Sequence, residues 1–419
     1  MNIARYKNNI DSLLYLFGAA FSQGAFIIIA PLVIAHLGQE MFAELEILAI
    51  IVQLAVIFFG ININSGLPRL LIGLNEWHRK QYLNVVVTYL IIISIVLTIF
   101  LVFSTQFISN YLSTKYIIFV PFLFLTNMLY YTWNDWCSVN KMSFKLTLTQ
   151  ILGGILKVSI VYFLIKINVF DFREKLYSDI LAISIGSFFL FNGFRFILDR
   201  GILKNLLAYS APIAIYSLSV FILRYYDQFL ISNYFGKVEL SYYTMAIKFS
   251  LLLLIAYKAL SNHFNVDYFE NRNKQLNTVN QTLYLVSVMF LMSIALRAVY
   301  WYYIKVFVTN FELEKAYALL KVNVVSVFIF CLFLIFARED LFLKRTTRLV
   351  IPVFAGLLVS VVINTIFLQA NDIYFAINTA LYSSIVVLVV QIILHLKYHI
   401  QHFFELIISI LCVLLLYFY

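Results

Sequence analysis

The sequence predicts an all-α polytopic membrane protein. It should have twelve transmembrane helices in two six-helix halves, with a thirteenth if residues 403–419 also cross. Three observations predict this. The 419-residue chain is 63% hydrophobic and only 12% charged, with a mean hydropathy of +0.92, whereas soluble domains carry about 25% charged residues. Apolar runs of about twenty residues, long enough for a helix to cross the hydrocarbon core, recur along the whole chain. The alternating ten-residue segments of a transmembrane barrel are absent, which leaves helices to satisfy every backbone group in lipid.

The first run, 11–36, follows "MNIARYKNNI" with no small-residue cleavage site and is expected to stay in the protein. Runs at 43–67, 82–105, 115–134 and 146–166 come next. The segment "FDFREKLYSD" (170–179) carries nearly balanced charge and reads as a solvated outer loop ahead of a run at 179–198. The second half repeats the scheme at 207–233, 240–261, 279–304, 315–337, 349–368 and 373–396. The run 403–419 is apolar to its end. Domains are therefore expected at 1–200 and 201–400, with 401–419 as an added helix.

Basic residues crowd one alternate set of loops, with Arg69, Arg79, Lys80, Arg200, Lys258 and Lys397 among them. By the positive-inside rule this predicts a cytoplasmic N-terminus, and it accounts for the net charge of +10 without nucleic acid. Trp77, Trp133, Trp136 and Trp301 fall at run ends, where an aromatic belt belongs. Cys137, Cys331 and Cys412 make no disulfide framework.

Five cations remain inside apolar runs: Lys157, Arg224, Lys248, Arg297 and Lys321. Each costs roughly 2.5–3.5 kcal/mol at a helix centre on insertion scales. Lys157 and Arg224 lie mid-run, Lys248 is intermediate, and Arg297 and Lys321 are near enough to run ends to snorkel. Polar stripes accompany them. Ser210, Ser217, Arg224 and Gln228 share one helical face with Asp227 at its edge, and Thr147, Gln150, Gly154 and Lys157 share another. Glu46, Gln53, Gly60 and Asn64 make a third. Such stripes face a wet cavity or serve as interhelical glue. Arg224 and Asp227, three apart, are expected to pair. A surplus of interior cations predicts an anionic passenger. His395, His399 and His402 share a face, but beside Lys397 they read as an interfacial basic segment rather than a metal site. No P-loop occurs, so direct ATP use is not expected, and no cofactor is implied.

Residues 206–250, "LLAYSAPIAIYSLSVFILRYYDQFLISNYFGKVELSYYTMAIKFS", resemble the seventh and eighth spans of Wzx-type polysaccharide flippases in the MOP exporter superfamily. Pro212, Asp227, Gly236, Glu239, Tyr243 and Ala246 carry the likeness. Pro31, Leu37-Gly38 and Glu40-Met41-Phe42, with "FFGININSGLPRLL" (58–71), resemble its first two spans. The segments starting at Leu37 and Phe235 also resemble each other, as tandem halves would. Ala43 and Ser241 stand where the family often has Gly.

The resemblance implies a MATE-like fold in the bacterial inner membrane. It implies flipping of undecaprenyl-diphosphate-linked oligosaccharide for O-antigen or capsule synthesis, alongside a polysaccharide polymerase and a chain-length regulator. The five cations would line a substrate cavity, and Asp227, Glu46, Asn64 and Gln150 would couple or gate. An ion-coupled small-molecule exporter of the same superfamily is the alternative within this fold. A membrane polysaccharide polymerase is the enzymatic one, disfavoured because no large outer loop is present.

Overall fold

A computed structural model describes residues 3–104, 113–270, 275–308, 311–337, 340, 346–394 and 403–418. Helices account for nearly all of them, and no strand occurs among the described residues. The chain is a multi-pass membrane protein: ten described helices are long and apolar enough to cross a bilayer. It divides into two compact units between Leu218 and Ser219.

Unit 1 begins with α1 (Ile3–Phe58), which Gly38 breaks into two helices at φ 83° and ψ 170°. That backbone geometry is open to glycine and almost nothing else. Then follow α2 (Ile63–Leu71), α3 (Glu76–Phe103), α4 (Thr114–Ile117), α5 (Phe119–Val139), α6 (Ser143–Lys166) and α7 (Phe172–Phe188). Polar residues start the helices: Asn75 caps α3 by accepting from the His78 amide at 2.9 Å, and Asp171 caps α7 by accepting from the Phe172 amide. In this unit α1 packs along α6 and α5, and α7 lies against α5 and α6. The membrane-facing side of α3 is bare, with Ile99, Val102 and Phe103 exposed, while Val85, Val86 and Val87 are fully buried. α8 (Arg200–Tyr234) starts in unit 1 and contains the division between the units. The expected domain edge at 200/201 is where this helix starts.

Unit 2 adds α9 (Lys237–Glu270), α10 (Gln275–Phe307), α11 (Leu313–Phe336), α12 (Thr346–Phe367), α13 (Ile373–Leu394) and α14 (Phe403–Phe418). Gly236, at φ 89°, makes the turn between α8 and α9. α11 is apolar over most of its surface because α9, α10 and α13 pack around it. α14 packs on α10 and α11.

Three expectations need correction. The run 43–67 is not one helix: α1 ends at Phe58, and α2 starts at Ile63 after a break with Ile61 at φ 47° and Asn62 at φ 49°. Left-handed backbone costs about 1–2 kcal/mol per non-glycine residue, so tertiary contacts must hold it. The sixth helix spans 172–188, not 179–198, so "FDFREKLYSD" is largely helical rather than a loop. After a 3-10 turn at Phe189–Phe191 the chain leaves helix over 194–199, and α3 serves it there: Asn84 and Thr88 accept from the amides of Arg195 and Ile197 at 3.3 and 3.2 Å. Trp133 is no belt residue. It is 3% exposed, donates to Thr149 Oγ1 at 3.1 Å and stacks on Phe189.

Candidate functional site

The αα-turn at Gly236 sets two helices side by side, so residues at similar distances from it meet. Asp227 and Gln228 on α8 thus face Tyr243 and Thr244 on α9. Tyr243 donates its hydroxyl to Asp227 Oδ2, and Thr244 donates to Gln228 Oε1 at 3.1 Å. Asp227 and Gln228 are buried, which explains their pairing, since an unmatched buried polar atom costs about 1–3 kcal/mol. The match is incomplete: Asp227 Oδ1 and Gln228 Nε2 find no protein partner.

A pocket opens beside Asp227. Its polar lining is Arg224, Asp227, Tyr243, Asn323, Ser326 and Ser384, with Phe330 and Val327 among its apolar walls. Asn323, Ser326 and Phe330 share a face of α11 at spacings of three and four. Ser326 and Ser384 bond across α11 and α13 at 2.8 Å, and Asn323 Nδ2 is another buried atom without a partner. The Arg224 guanidinium lies 4.4 Å above the centre of the Phe330 ring, a contact worth about 0.5–2 kcal/mol. The expected Arg224–Asp227 ion pair does not form. Asp227 turns to Tyr243 because its side chain points into the α8–α9 contact, while Arg224 points to α11. Arg224 is also within electrostatic reach of Lys258. Lys258 was expected in a basic loop, yet α9 continues to Glu270 and carries it at the end of a membrane-crossing helix.

The other candidate cations are dispersed. Lys248 is half-buried on α9. Arg297 donates from Nη2 to the carbonyls of Lys321 at 3.0 Å and Leu416 at 2.5 Å. It therefore joins α10 and α11 to the last turn of α14, where a cation meets the carbonyls that a helix end leaves unpaired. Lys321 is half-buried on α11. These two belong to a packing junction, not to the pocket.

In unit 1, Lys157 is not a lone cation. Its Nζ lies 2.9 Å from Asp179 Oδ1, and Lys175 Nζ lies 2.6 Å from Asp179 Oδ2. Buried Glu46 on α1 acts electrostatically on Lys175. The helix start at Phe172 brings these charges inside; a loop reading left them in water. Gln150 and Thr147 on the same face of α6 serve helix packing. Thr147 donates to the Leu14 carbonyl at 2.9 Å. Gln150 fills the space beside Gly18, and Gly154 packs against Phe21. Asn64 sits on α2, beyond the break, so it does not continue the Glu46–Gln53 face. Its contacts to Met128 O and Thr132 are long, 3.5 and 3.4 Å.

Lys175, Asp179, Asn323, Ser326 and Ser384 were not singled out from sequence as site residues; Tyr243 was noted only for the family likeness and Lys258 only as a loop cation. Asn323 and Ser326 were the most legible of the missed residues, as polar residues three apart in an otherwise apolar run. Lys175 and Asp179 at i, i+4 carried a weaker signal. The histidines His395, His399 and His402 lie outside the described residues. Among those described, no three His, Cys, Asp or Glu side chains gather as a metal site would need.

Residues 37–264, more than half of the chain, match the sequence profile of a family described as polysaccharide biosynthesis protein. The chain belongs to this family. Of the segments that carried the resemblance to MOP exporters, 58–71 and 206–250 lie in the matched region, and Pro31 lies just before it. No curated protein matches the chain. Among solved structures, it resembles the lipid II flippase MurJ in an inward closed conformation, with a TM-score of 0.71 and 13% identity over 97% of each chain. It also resembles an outward-facing multidrug resistance MATE family transporter of the MOP superfamily, with a TM-score of 0.64 and 15% identity over 91% of this chain and 93% of that one. A third is a MOP superfamily transporter from Pyrococcus furiosus, described as having a binding pocket of reverse polarity, with a TM-score of 0.65 and 14% identity over 96% and 95%. This polysaccharide biosynthesis protein therefore has the MATE-like fold that its sequence predicted.

Proposed function

We propose that this chain is a flippase of the bacterial inner membrane, N-terminus in the cytoplasm. It would carry undecaprenyl-diphosphate-linked oligosaccharide repeats to the outer leaflet for O-antigen or capsule assembly. The observation that carries the reading is that Arg224 and Lys258, on helices that cross the membrane, lie within electrostatic reach of each other, in a member of a polysaccharide biosynthesis family. Two cations within such reach, in a medium of low dielectric, attract a diphosphate strongly. Lys248, on the same helix as Lys258, adds a third. The lipid tail stays in the bilayer while the head crosses by alternating access.

The roles within the first candidate set are narrower in this reading. Arg224, Lys248 and Lys258 meet the passenger. Lys157 reaches it only in competition with Asp179, and Arg297 holds α14 to α11 through the Leu416 and Lys321 carbonyls. Asp227, with one carboxylate oxygen unmatched, is the group for coupling or gating. The polymerase alternative loses support, because the one charged outer segment it would need is mostly a packed helix. The polymerase and chain-length regulator of the pathway are partners in this reading.

The test is the sidedness of the lipid-linked repeat. Deleting the chain should strand complete repeats on the cytoplasmic leaflet, and the Arg224→Gln, Lys258→Gln double variant should do the same at normal protein level. Single repeats that reach the outer surface but never lengthen would instead identify a polymerase and sink the proposal.

A further inference from the structure

We propose that the strip from Phe194 to Lys204 binds an anionic phospholipid, its phosphate on Arg195, Arg200 and Lys204 and its acyl chains along Phe196 and Leu198. Residues 194–199 of this strip lie outside any helix, and α8 starts at Arg200. The site is independent of the passenger and of the pocket in unit 2.

Helix length sets the depth of the strip. α3 has 28 residues, about 42 Å of helix, against about 30 Å of hydrocarbon. Its far end is apolar up to Phe103, whereas its opening residues, "EWHRKQYL", are mostly polar. The surplus length therefore lies at the opening end, and Asn84, which comes next, marks the boundary between headgroups and hydrocarbon. Asn84 and Thr88 are the residues that accept from the amides of Arg195 and Ile197, so α3 holds the strip at that boundary. Backbone outside a helix needs partners there, because lipid tails supply none. In the orientation proposed above, this is the cytoplasmic leaflet.

What the strip offers is donors and apolar surface. The amides of Phe196 and Leu198 meet no acceptor among the described residues. Arg195, Arg200 and Lys204 are exposed and make no ion pair among the described residues. Arg200 and Lys204, four apart, share a face of α8. The one acid, Asp199, is turned into the start of that helix, where it accepts from the amides of Gly201 and Ile202 at 2.8 and 3.0 Å. Three cations and one carboxylate leave the strip a net charge of +2. Phe196 and Leu198 are 65% and 51% exposed. A ligand that is anionic at one end and acyl at the other fits this arrangement. A zwitterionic lipid brings its own cation to the same place, and so gains less from a basic cluster. A soluble phosphate would leave Phe196 and Leu198 uncovered.

The probe is phosphatidylglycerol against phosphatidylcholine, in vesicles that hold equal parts of the two. A fluorophore is placed at Asn192→Cys, exposed and just before the strip, in a Cys412→Ser background, because Cys137 and Cys331 are buried. Nitroxide carried on the acyl chain of one lipid or the other then reports by quenching which lipid lies nearby. Labelled phosphatidylglycerol should quench at least twofold more than labelled phosphatidylcholine. A fluorophore at Val102→Cys, exposed at the other end of α3, should see the two alike. Replacing Arg195, Arg200 and Lys204 together by Gln should make the two lipids equal at Asn192→Cys as well. Equal quenching there in the protein that keeps its three cations overturns the proposal without any need of the variant. A preference that survives the triple substitution, or that is as large at Val102→Cys, overturns it too. No outcome depends on export, so a failed transport reading would leave this test unchanged.

Discussion

One charged cluster in each unit handles interior charge in its own way. In the Asp179 cluster of unit 1 the charges are matched: Lys157 and Lys175 share Asp179, and Glu46 acts on Lys175. Around the pocket of unit 2, bordered by Arg224 on the Phe330 ring, the matching is partial: Asp227 and Asn323 each keep a buried polar atom without a protein partner. The difference teaches how to separate structure from function among membrane-buried charges. A matched cluster holds helices together, because removing one member leaves the others stranded in low dielectric. An incompletely matched set is what a binding or coupling site needs, since it gains something when a guest arrives.

Substitutions can break or sharpen this contrast. The largest effect on stability is expected from Asp179→Asn, which leaves two lysines uncompensated. A loss of about 3 kcal/mol should appear as a large fall in detergent Tm, with export falling only as far as protein level does. If stability holds and export alone is lost, unit 1 is a functional site and the contrast fails. Arg224→Gln is the reverse case. Export should fall at least tenfold, while stability changes by about 1 kcal/mol; normal export with altered Tm would make Arg224 structural.

Gly38→Ala and Gly236→Ala probe what the units share. Both glycines have positive φ, and nothing lies within 4 Å of an added Cβ at either, so only backbone conformation is tested. Each should cost about 1–3 kcal/mol and lower Tm; a large difference would mean that the two turns are not equivalent. The smallest effect is expected from Asn323→Leu. Its amide nitrogen is already unmatched, so stability should stay within about 1 kcal/mol by thermal melting, while export or its ion dependence changes.

The candidate site was only half legible. Arg224 and Asp227 stood out because a charge in an apolar run is rare whatever surrounds it. Their mutual pairing, inferred from three-residue spacing, failed because spacing says which residues are neighbours on one helix, not which other helix lies closer. Lys157 was visible but Asp179 was not, since the hydropathy of 179–198 drew the helix start seven residues too late. Gln150 and Thr147 looked like cavity lining and proved to be packing against α1, a matter of which helix faces them.

The sequence by itself determined the fold class, most of the crossing helices and the family. Those follow from hydropathy, from helix length against bilayer thickness, and from glycines such as Gly38 and Gly236 that turn one helix into the next. Only the tertiary structure decided which charges are matched, where α1 gives way to α2, and that Arg297 secures α14 while Arg224 borders a pocket. The physical reason is that burial and pairing depend on the neighbouring helix, and one-dimensional periodicity fixes the face of a helix but not what is packed against it.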